Sequence, residues 1–192
     1  MNIAYNRYSE ANIPIDYWNL NMNDFSGSKS LKNAYDYLTT DIAKVYNDGV
    51  SICFSGTNGV GKTMTVTCIL KKVCQKNYSA LYTTLNDMIT TLVDAPYEEK
   101  FYAKKELMLV DFLVLDEFDS KYVSDASADL FGRTVEAVVR TRLQNKLPTF
   151  FCSNSPNPVE MFQGAIKISI ESLFNKVKII PIMDKDFRKE NK

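Results

Sequence analysis

The residues Gly56-Thr57-Asn58-Gly59-Val60-Gly61-Lys62-Thr63 carry the plainest chemical signal in this chain. They satisfy G-x-x-x-x-G-K-[ST] at every fixed position, the pattern of a loop that cradles phosphate. Glycines let the backbone curl until successive N–H groups face one anion-binding hollow. Lys62 adds a mobile cation for β- and γ-phosphates, and the Thr63 hydroxyl offers a hard oxygen to Mg²⁺. Downstream, the apolar run Phe112-Leu113-Val114-Leu115 ends in Asp116-Glu117. One carboxylate to hold the metal through water and one to polarise an attacking water are what hydrolysis of a γ-phosphate needs. A further run, Phe150-Phe151-Cys152, leads to Asn154, whose amide can hydrogen-bond either the attacking water or the γ-phosphate.

These groups act together only if the chain places them at one end of a sheet. Val50–Phe54 reads as a buried strand and Met64–Lys76 as a helix, so the loop sits in a strand–loop–helix setting. Met64 opens that helix, whose N-terminal dipole also faces the phosphates. Ala80–Thr84 reads as a second strand, Phe112–Leu115 as a central parallel strand covered on both faces, Pro148–Cys152 as a fourth and Lys178–Met183 as a fifth. Ligands in such open α/β sheets lie at the carboxyl ends of the strands. Ser28–Tyr46 has one helical apolar stripe (Leu31, Tyr35, Leu38, Ile42, Val45), expected to pack beside the first strand, with Asp48-Gly49 closing the helix. Ala126–Gln144 reads as a long helix with Leu130, Phe131, Thr134, Val135, Val138 and Val139 inward. Met1–Gly27, rich in Asn and aromatics, reads as irregular structure across the core, with contact to an adenine ring as the second reading.

Leu85–Val93 and Tyr97–Leu107 read as two short helices broken at Ala95-Pro96. The second sets Lys100, Lys104 and Lys105 beside Tyr97, Phe101 and Tyr102. That mixture suits single-stranded DNA, by phosphate contact and base stacking, and equally suits a solvated helix face.

Composition narrows the classes. With 23 basic and 23 acidic residues, no global field attracts a polyanion, so any DNA contact needs a local patch. The absence of histidine excludes Ser/His nucleophilic catalysis and His metal ligation and leaves base work to carboxylates. The four cysteines fall in predicted strands and a helix without a C-x-x-C pair, as reduced core thiols of a cytoplasmic protein do. No stretch is apolar and long enough to span a membrane. The length suits one domain over residues 1–192, with a leading segment 1–27, a core 28–183 and a charged tail 184–192.

The order helix, strand–phosphate loop–helix, strand, helix pair, Asp-Glu strand, helix, strand ending in Asn resembles an AAA+ ATPase. More narrowly it resembles the DnaC/DnaI-type helicase loaders and the IstB transposition ATPases. Ala11-Asn12-Ile13-Pro14 with Asn23-Asp24-Phe25 looks like that family's opening, and Leu115-Asp116-Glu117-Phe118 like its Walker B motif. Arg142 followed by Leu147–Asn154 is similar to its sensor-1 region, and Asp186-Phe187-Arg188 to the motif bearing its sensor-2 arginine. The resemblance implies an α/β P-loop fold of AAA+ type: a three-layer sandwich on a central parallel five-stranded sheet. It implies binding of ATP and Mg²⁺, slow hydrolysis, and catalytic roles for Lys62, Glu117, Asn154 and Arg188. It implies work in DNA replication as a helicase loader or as modulator of a host loader. The replicative helicase or that loader is then the partner, with possible ATP-dependent self-assembly. The helix pair at 85–107 stands where that clade contacts single-stranded DNA. Two departures from the family stand out. The phosphate loop begins too early for a separate N-terminal helicase-binding domain, and the helix expected to supply a trans-acting arginine finger offers only Lys167, leaving Arg140 and Arg142 as internal alternatives. An IstB-like transposition regulator is the alternative function. A P-loop small-molecule kinase is disfavoured, because Asp116-Glu117 and Asn154 suit water activation and no lid-like arginine cluster is visible.

Lys62→Ala is expected to abolish nucleotide binding and leave the fold intact. Titration with a fluorescent ATP analogue checks it, and unchanged affinity would refute the role of the phosphate loop.

Overall fold

The computed structural model describes residues 3–119 and 128–183. Five strands, β1 (Ile52–Gly56), β2 (Ala80–Thr84), β3 (Phe112–Asp116), β4 (Thr149–Ser153) and β5 (Lys178–Ile182), form one parallel sheet in the order β2-β3-β4-β1-β5. The three central strands alternate strictly. Ile52, Phe54, Phe112, Val114, Phe150 and Cys152 face one core, and Cys53, Leu113, Leu115 and Phe151 face the other. The first core is closed by α2 (Lys29–Thr40), α3 (Ile42–Asp48) and α4 (Lys62–Gln75), through Leu31, Leu38, Val45, Val66, Ile69 and Val73. The second is closed by α5 (Leu85–Asp94), α6 (Tyr97–Leu109), α7 (Ala128–Gln144) and α8 (Gly164–Phe174). Both faces of the sheet are therefore covered, the expected three layers. All four cysteines are free and buried.

Two expectations are corrected. The stripe from Ser28 to Tyr46 is not one helix: the chain leaves helical geometry at Asp41 (φ −139°, ψ 85°), whose carboxylate accepts from the Lys44 N–H at 2.9 Å and starts α3. An aspartate that caps a second helix keeps the apolar period intact, so periodicity alone does not reveal the break. Of these two helices, α2 packs chiefly on α4 and reaches β5. The leading segment also holds a helix, α1 (Ile3–Glu10), where irregular structure was expected. Its sequence is weakly amphipathic, and contact with α4 favours it, with Tyr8 buried against that helix's side of the core. Beyond α1 the chain runs along the outer edge of the sheet. The Tyr82 N–H donates to the Ala11 carbonyl at 2.8 Å, and Asn12 Nδ2 donates to the Tyr82 carbonyl at 3.0 Å. Two polar groups that an edge strand would expose are satisfied in this way.

Arg142 is fully buried, at 0% exposure. Its guanidinium donates to the carbonyls of Leu107 (2.9 Å), Val110 (2.8 Å), Pro148 (2.9 Å) and Asp111 (3.4 Å) and, through Nε, to Thr149 Oγ1 (2.9 Å). It ties the end of α6 to the start of β4 and cannot serve as an arginine finger. Arg142→Met keeps an unbranched apolar stem but strips the Arg142 donors from the buried carbonyls of Leu107, Val110 and Pro148, of which the last still accepts from the Leu113 N–H. The expected loss is about 2 kcal/mol or more, at roughly 1–3 kcal/mol for each of the two carbonyls left without a donor. Urea unfolding with an unchanged m-value measures it, and a loss below about 1 kcal/mol would contradict the role.

Candidate nucleotide site

In the sheet β4 lies between β1 and β3. The residues that follow the carboxyl ends of these three strands therefore come out side by side: the phosphate loop after β1, Asn154 after β4, and Asp116-Glu117 at β3. Lys62, Thr63, Met64, Asp116, Glu117 and Asn154 line one cleft of about 510 Å³ with Asn58, Gly59 and Gly61. Its remaining wall is Tyr17, Asp24 to Gly27 and Cys152. The leading segment thus reaches the site, as the adenine reading requires.

Gly61 shows why the loop pattern demands glycine. Its φ is +96°, and a Cβ there would stand 2.5 Å from the ring of Phe25. α4 begins at the next residue, so its unpaired N-terminal N–H groups face the cleft.

Lys62 is 7% exposed. Its ammonium donates to the carbonyls of Gly56 (2.6 Å) and Thr57 (2.8 Å) and to Asn154 Oδ1 (2.9 Å), which occupies all three donors. Burial pulls its pKa below the ordinary lysine value. Thr63 Oγ1 donates to Asp116 Oδ2 at 2.7 Å, and the same carboxylate oxygen accepts from the Tyr82 hydroxyl at 2.8 Å. Its other oxygen accepts from the Glu117 N–H at 2.7 Å. Burial, followed by the charge of Asp116, pushes the Tyr82 phenol well up, so it stays a donor. The hydroxyl and carboxylate in contact are a hard-oxygen pair of the kind Mg²⁺ takes when phosphates and waters supply the rest. Glu117 has φ +50°, an unusual backbone for a side chain and the sort of local strain that clusters at functional sites.

Each thiol near the site is inert. Burial drives Cys152 well above the usual thiol range and Cys53 up to about 12.

Two residues that sequence reading did not single out complete the arrangement. Tyr82 holds Asp116, and Asp119 accepts three hydrogen bonds from Ser153 and Asn154. Strand register would have found Tyr82: it pairs with Val114 on a neighbouring strand, two residues before Asp116. Asp119 follows the Asp-Glu pair closely, but only the fold turns it towards β4. The basic trio on α6 is divided. Lys100 donates to the Val93 carbonyl, and with Lys104 it lines a groove against α7 that also holds Tyr97, Phe101 and Arg133. Lys105 lines a separate cleft beside Arg7 and Tyr102. Arg188 lies outside the described residues.

Fold and site together define a P-loop nucleotide-binding domain of AAA+ type. The chain belongs to the family of IstB-like ATP binding proteins, whose model it matches over residues 20–146. It is 29% identical over 129 residues to the replicative helicase loader DnaI of Bacillus subtilis (strain 168). That match covers 63% of this chain but 40% of DnaI, so the chain spans less than half the length of that relative. Among solved structures, the DnaC helicase loader superimposes with a TM-score of 0.62 at 22% identity, covering 88% of this chain and 99% of that one. The replication initiator DnaA bound to AMPPCP and single-stranded DNA gives a TM-score of 0.71 at 15% identity, over 90% and 51% of the two chains. At these identities the structural likeness shows the fold.

The lowered pKa of Lys62 sets a pH dependence. The unfolded chain holds this proton more tightly than the folded one, so between the depressed pKa and the ordinary value stability rises with pH. Affinity for a polyphosphate, which needs the ammonium, falls across that same window. Nucleotide titrations from neutral to alkaline pH should show a plateau and then a loss that sets in below 10.5. Affinity unchanged up to that value would contradict it.

Proposed function

We propose that this chain is an ATPase acting in DNA replication, as a helicase loader or a modulator of a host loader of phage or mobile-element type, in the cytoplasm. The observation that carries this is the convergence of Lys62, Thr63, Asp116, Glu117 and Asn154 on one cleft in an IstB-like family member similar in sequence to a helicase loader. The loop N–H groups from Thr57 to Lys62 would cradle the phosphates. Lys62 would exchange a carbonyl partner for the β- and γ-oxygens, which repay the lost bond with opposite charge. Mg²⁺, held directly by Thr63 and through water by Asp116, would supply neutralisation of the β- and γ-oxygens. Tyr82 keeps the Asp116 carboxylate turned towards Thr63. Glu117 would orient and polarise the attacking water, with Asn154 beside it and Arg188 on the γ-phosphate.

Turnover should be slow. In addition to the buried Arg142, Arg140 is engaged by Glu136 and by Ser169 at 2.7 Å, and Lys167 stands 3.8 Å from Glu171. A lysine lacks the planar fork of a finger arginine. A helicase or loader subunit, or self-assembly, would complete the site. Lys100 and Lys104, with exposed Tyr97 and Phe101, are the contact proposed for single-stranded DNA, and Lys105 would add to it from the other side of α6. The matched family itself supports a second reading, in which ATP-driven assembly on DNA regulates transposition.

Glu117→Gln should keep nucleotide affinity and lose hydrolysis, while Asp116→Asn weakens the Mg²⁺ dependence. The pure protein should turn over below about one ATP per second, since a trans-acting guanidinium can contribute several orders of magnitude, and a partner recovered by ATP-dependent pull-down should accelerate it. Parental hydrolysis by Glu117→Gln, or fast cooperative hydrolysis by the pure protein, would refute the water-activating or partner-dependent part respectively.

A further inference from the structure

Asp119 is 8% exposed and carries no role in the chemistry described above. One of its oxygens accepts from Ser153 Oγ at 3.0 Å and from the Asn154 N–H at 2.8 Å. The other accepts from Asn154 Nδ2 at 2.6 Å. On its far side the Asn154 amide meets the Lys62 ammonium through Oδ1 at 2.9 Å. An ammonium only donates and a carboxylate only accepts, so an amide caught between them has a single satisfactory sense. Its NH₂ must face Asp119 and its oxygen must face Lys62. Turning it over would set NH₂ against ammonium and oxygen against carboxylate, two repulsive contacts in a part-buried site.

We infer that Asp119 is a positioning residue that fixes the sense of the Asn154 amide, so that Asn154 presents a carbonyl oxygen, an acceptor, to Lys62 and to the phosphate end of the cleft. The inference rests on the ATPase reading and sharpens it. An acceptor suits a proton of the attacking water and does not suit a phosphate oxygen. The choice between water and γ-phosphate, open for Asn154 from its residue type, therefore falls to water. The same chain of bonds links the residues after β3 to the phosphate loop: Asp119 holds Asn154, Asn154 holds Lys62, and Ser153 closes the turn after β4. Because β4 lies between β1 and β3, Asp119 reaches across one strand to set a group that touches the next. The backbone supports this reach, since the Phe118 N–H donates to the Cys152 carbonyl at 2.8 Å and carries the β3–β4 pairing past Asp116.

The test uses donor–acceptor sense, which a merely space-filling residue would not register. Asp119→Asn keeps its size and one oxygen for Ser153 and the Asn154 N–H, but sets an NH₂ against Asn154 Nδ2. The Asn154 amide must then turn over and lose Lys62. Hydrolysis should fall about 10- to 100-fold, as for other supporting groups behind a reacting shell. Affinity for a non-hydrolysable fluorescent ATP analogue should change less than about threefold, because the interaction counts mainly during reaction. Asn154→Asp alone places two carboxylates face to face and should lower the melting temperature. Combining it with Asp119→Asn restores a donor opposite an acceptor, so the double variant should melt above the Asn154→Asp single variant. Parental hydrolysis by Asp119→Asn, or a double variant melting at or below Asn154→Asp, would overturn the assignment. If the parent protein binds the analogue yet never hydrolyses ATP, the ATPase reading fails instead, and the melting comparison still tests the pairing of Asp119 with Asn154.

Discussion

The position of β4 between β1 and β3 is the constraint on which the site depends. Parallel strands all deliver their carboxyl ends to one edge, and this order brings those of β1 and β3 to either side of β4. With this order Asn154 falls between Lys62 and Asp119, and the Thr63 hydroxyl is close enough to Asp116 to share a proton at 2.7 Å. The order is held from both faces. The inward residues of β1, β3 and β4 alternate between two apolar cores, and a slip of one residue in any strand would turn its buried side chains to the opposite core. Position and packing are thus set by the same pattern.

Two polar devices keep that pattern in register where apolar packing cannot. Arg142 draws the end of α6 and the start of β4 together by donating to buried carbonyls. Charged residues are rarely fully buried, and this one is tolerated because every direction of its planar fork meets an acceptor. The chain after α1 does the corresponding work at the outer edge, where Ala11 and Asn12 bond the backbone of Tyr82. Tyr82 in turn holds Asp116. The leading segment therefore supports the Asp116 side of the cleft from behind as well as lining its mouth with Tyr17 and Phe25.

Much of this was legible in the sequence because it rests on local rules. The phosphate loop needs glycines in fixed places, parallel central strands need continuous apolar runs, and ligands sit at the strand ends, so all five strands and most residues that converge on the cleft could be read directly. What stayed hidden depends on contacts between distant segments. Asp41 caps a second helix without disturbing the apolar period. The helix α1 is favoured by its packing on α4 more than by its own propensity. Arg142 reads as an internal alternative for the arginine finger until the surrounding carbonyls are in place, and Lys105 reads as a companion of Lys104 until the groove and the second cleft separate them. Tyr82 and Asp119 carry no motif at all. Their roles follow from strand order, which residue types do not state.

On this reading one cleft, built from the ends of β1, β4 and β3, holds a nucleoside triphosphate with its γ-phosphate between Lys62 and the Asp116-Glu117 pair. A crystal structure with Mg²⁺ and a non-hydrolysable ATP analogue tests it most directly. The phosphates should be wrapped by residues 56–63, with the Thr63 hydroxyl on the metal and the Lys62 ammonium moved from a loop carbonyl to the β- and γ-oxygens. Nucleotide bound elsewhere, or phosphates in this loop with Asp116, Glu117 and Asn154 out of reach of the γ-phosphate and its metal, would contradict it.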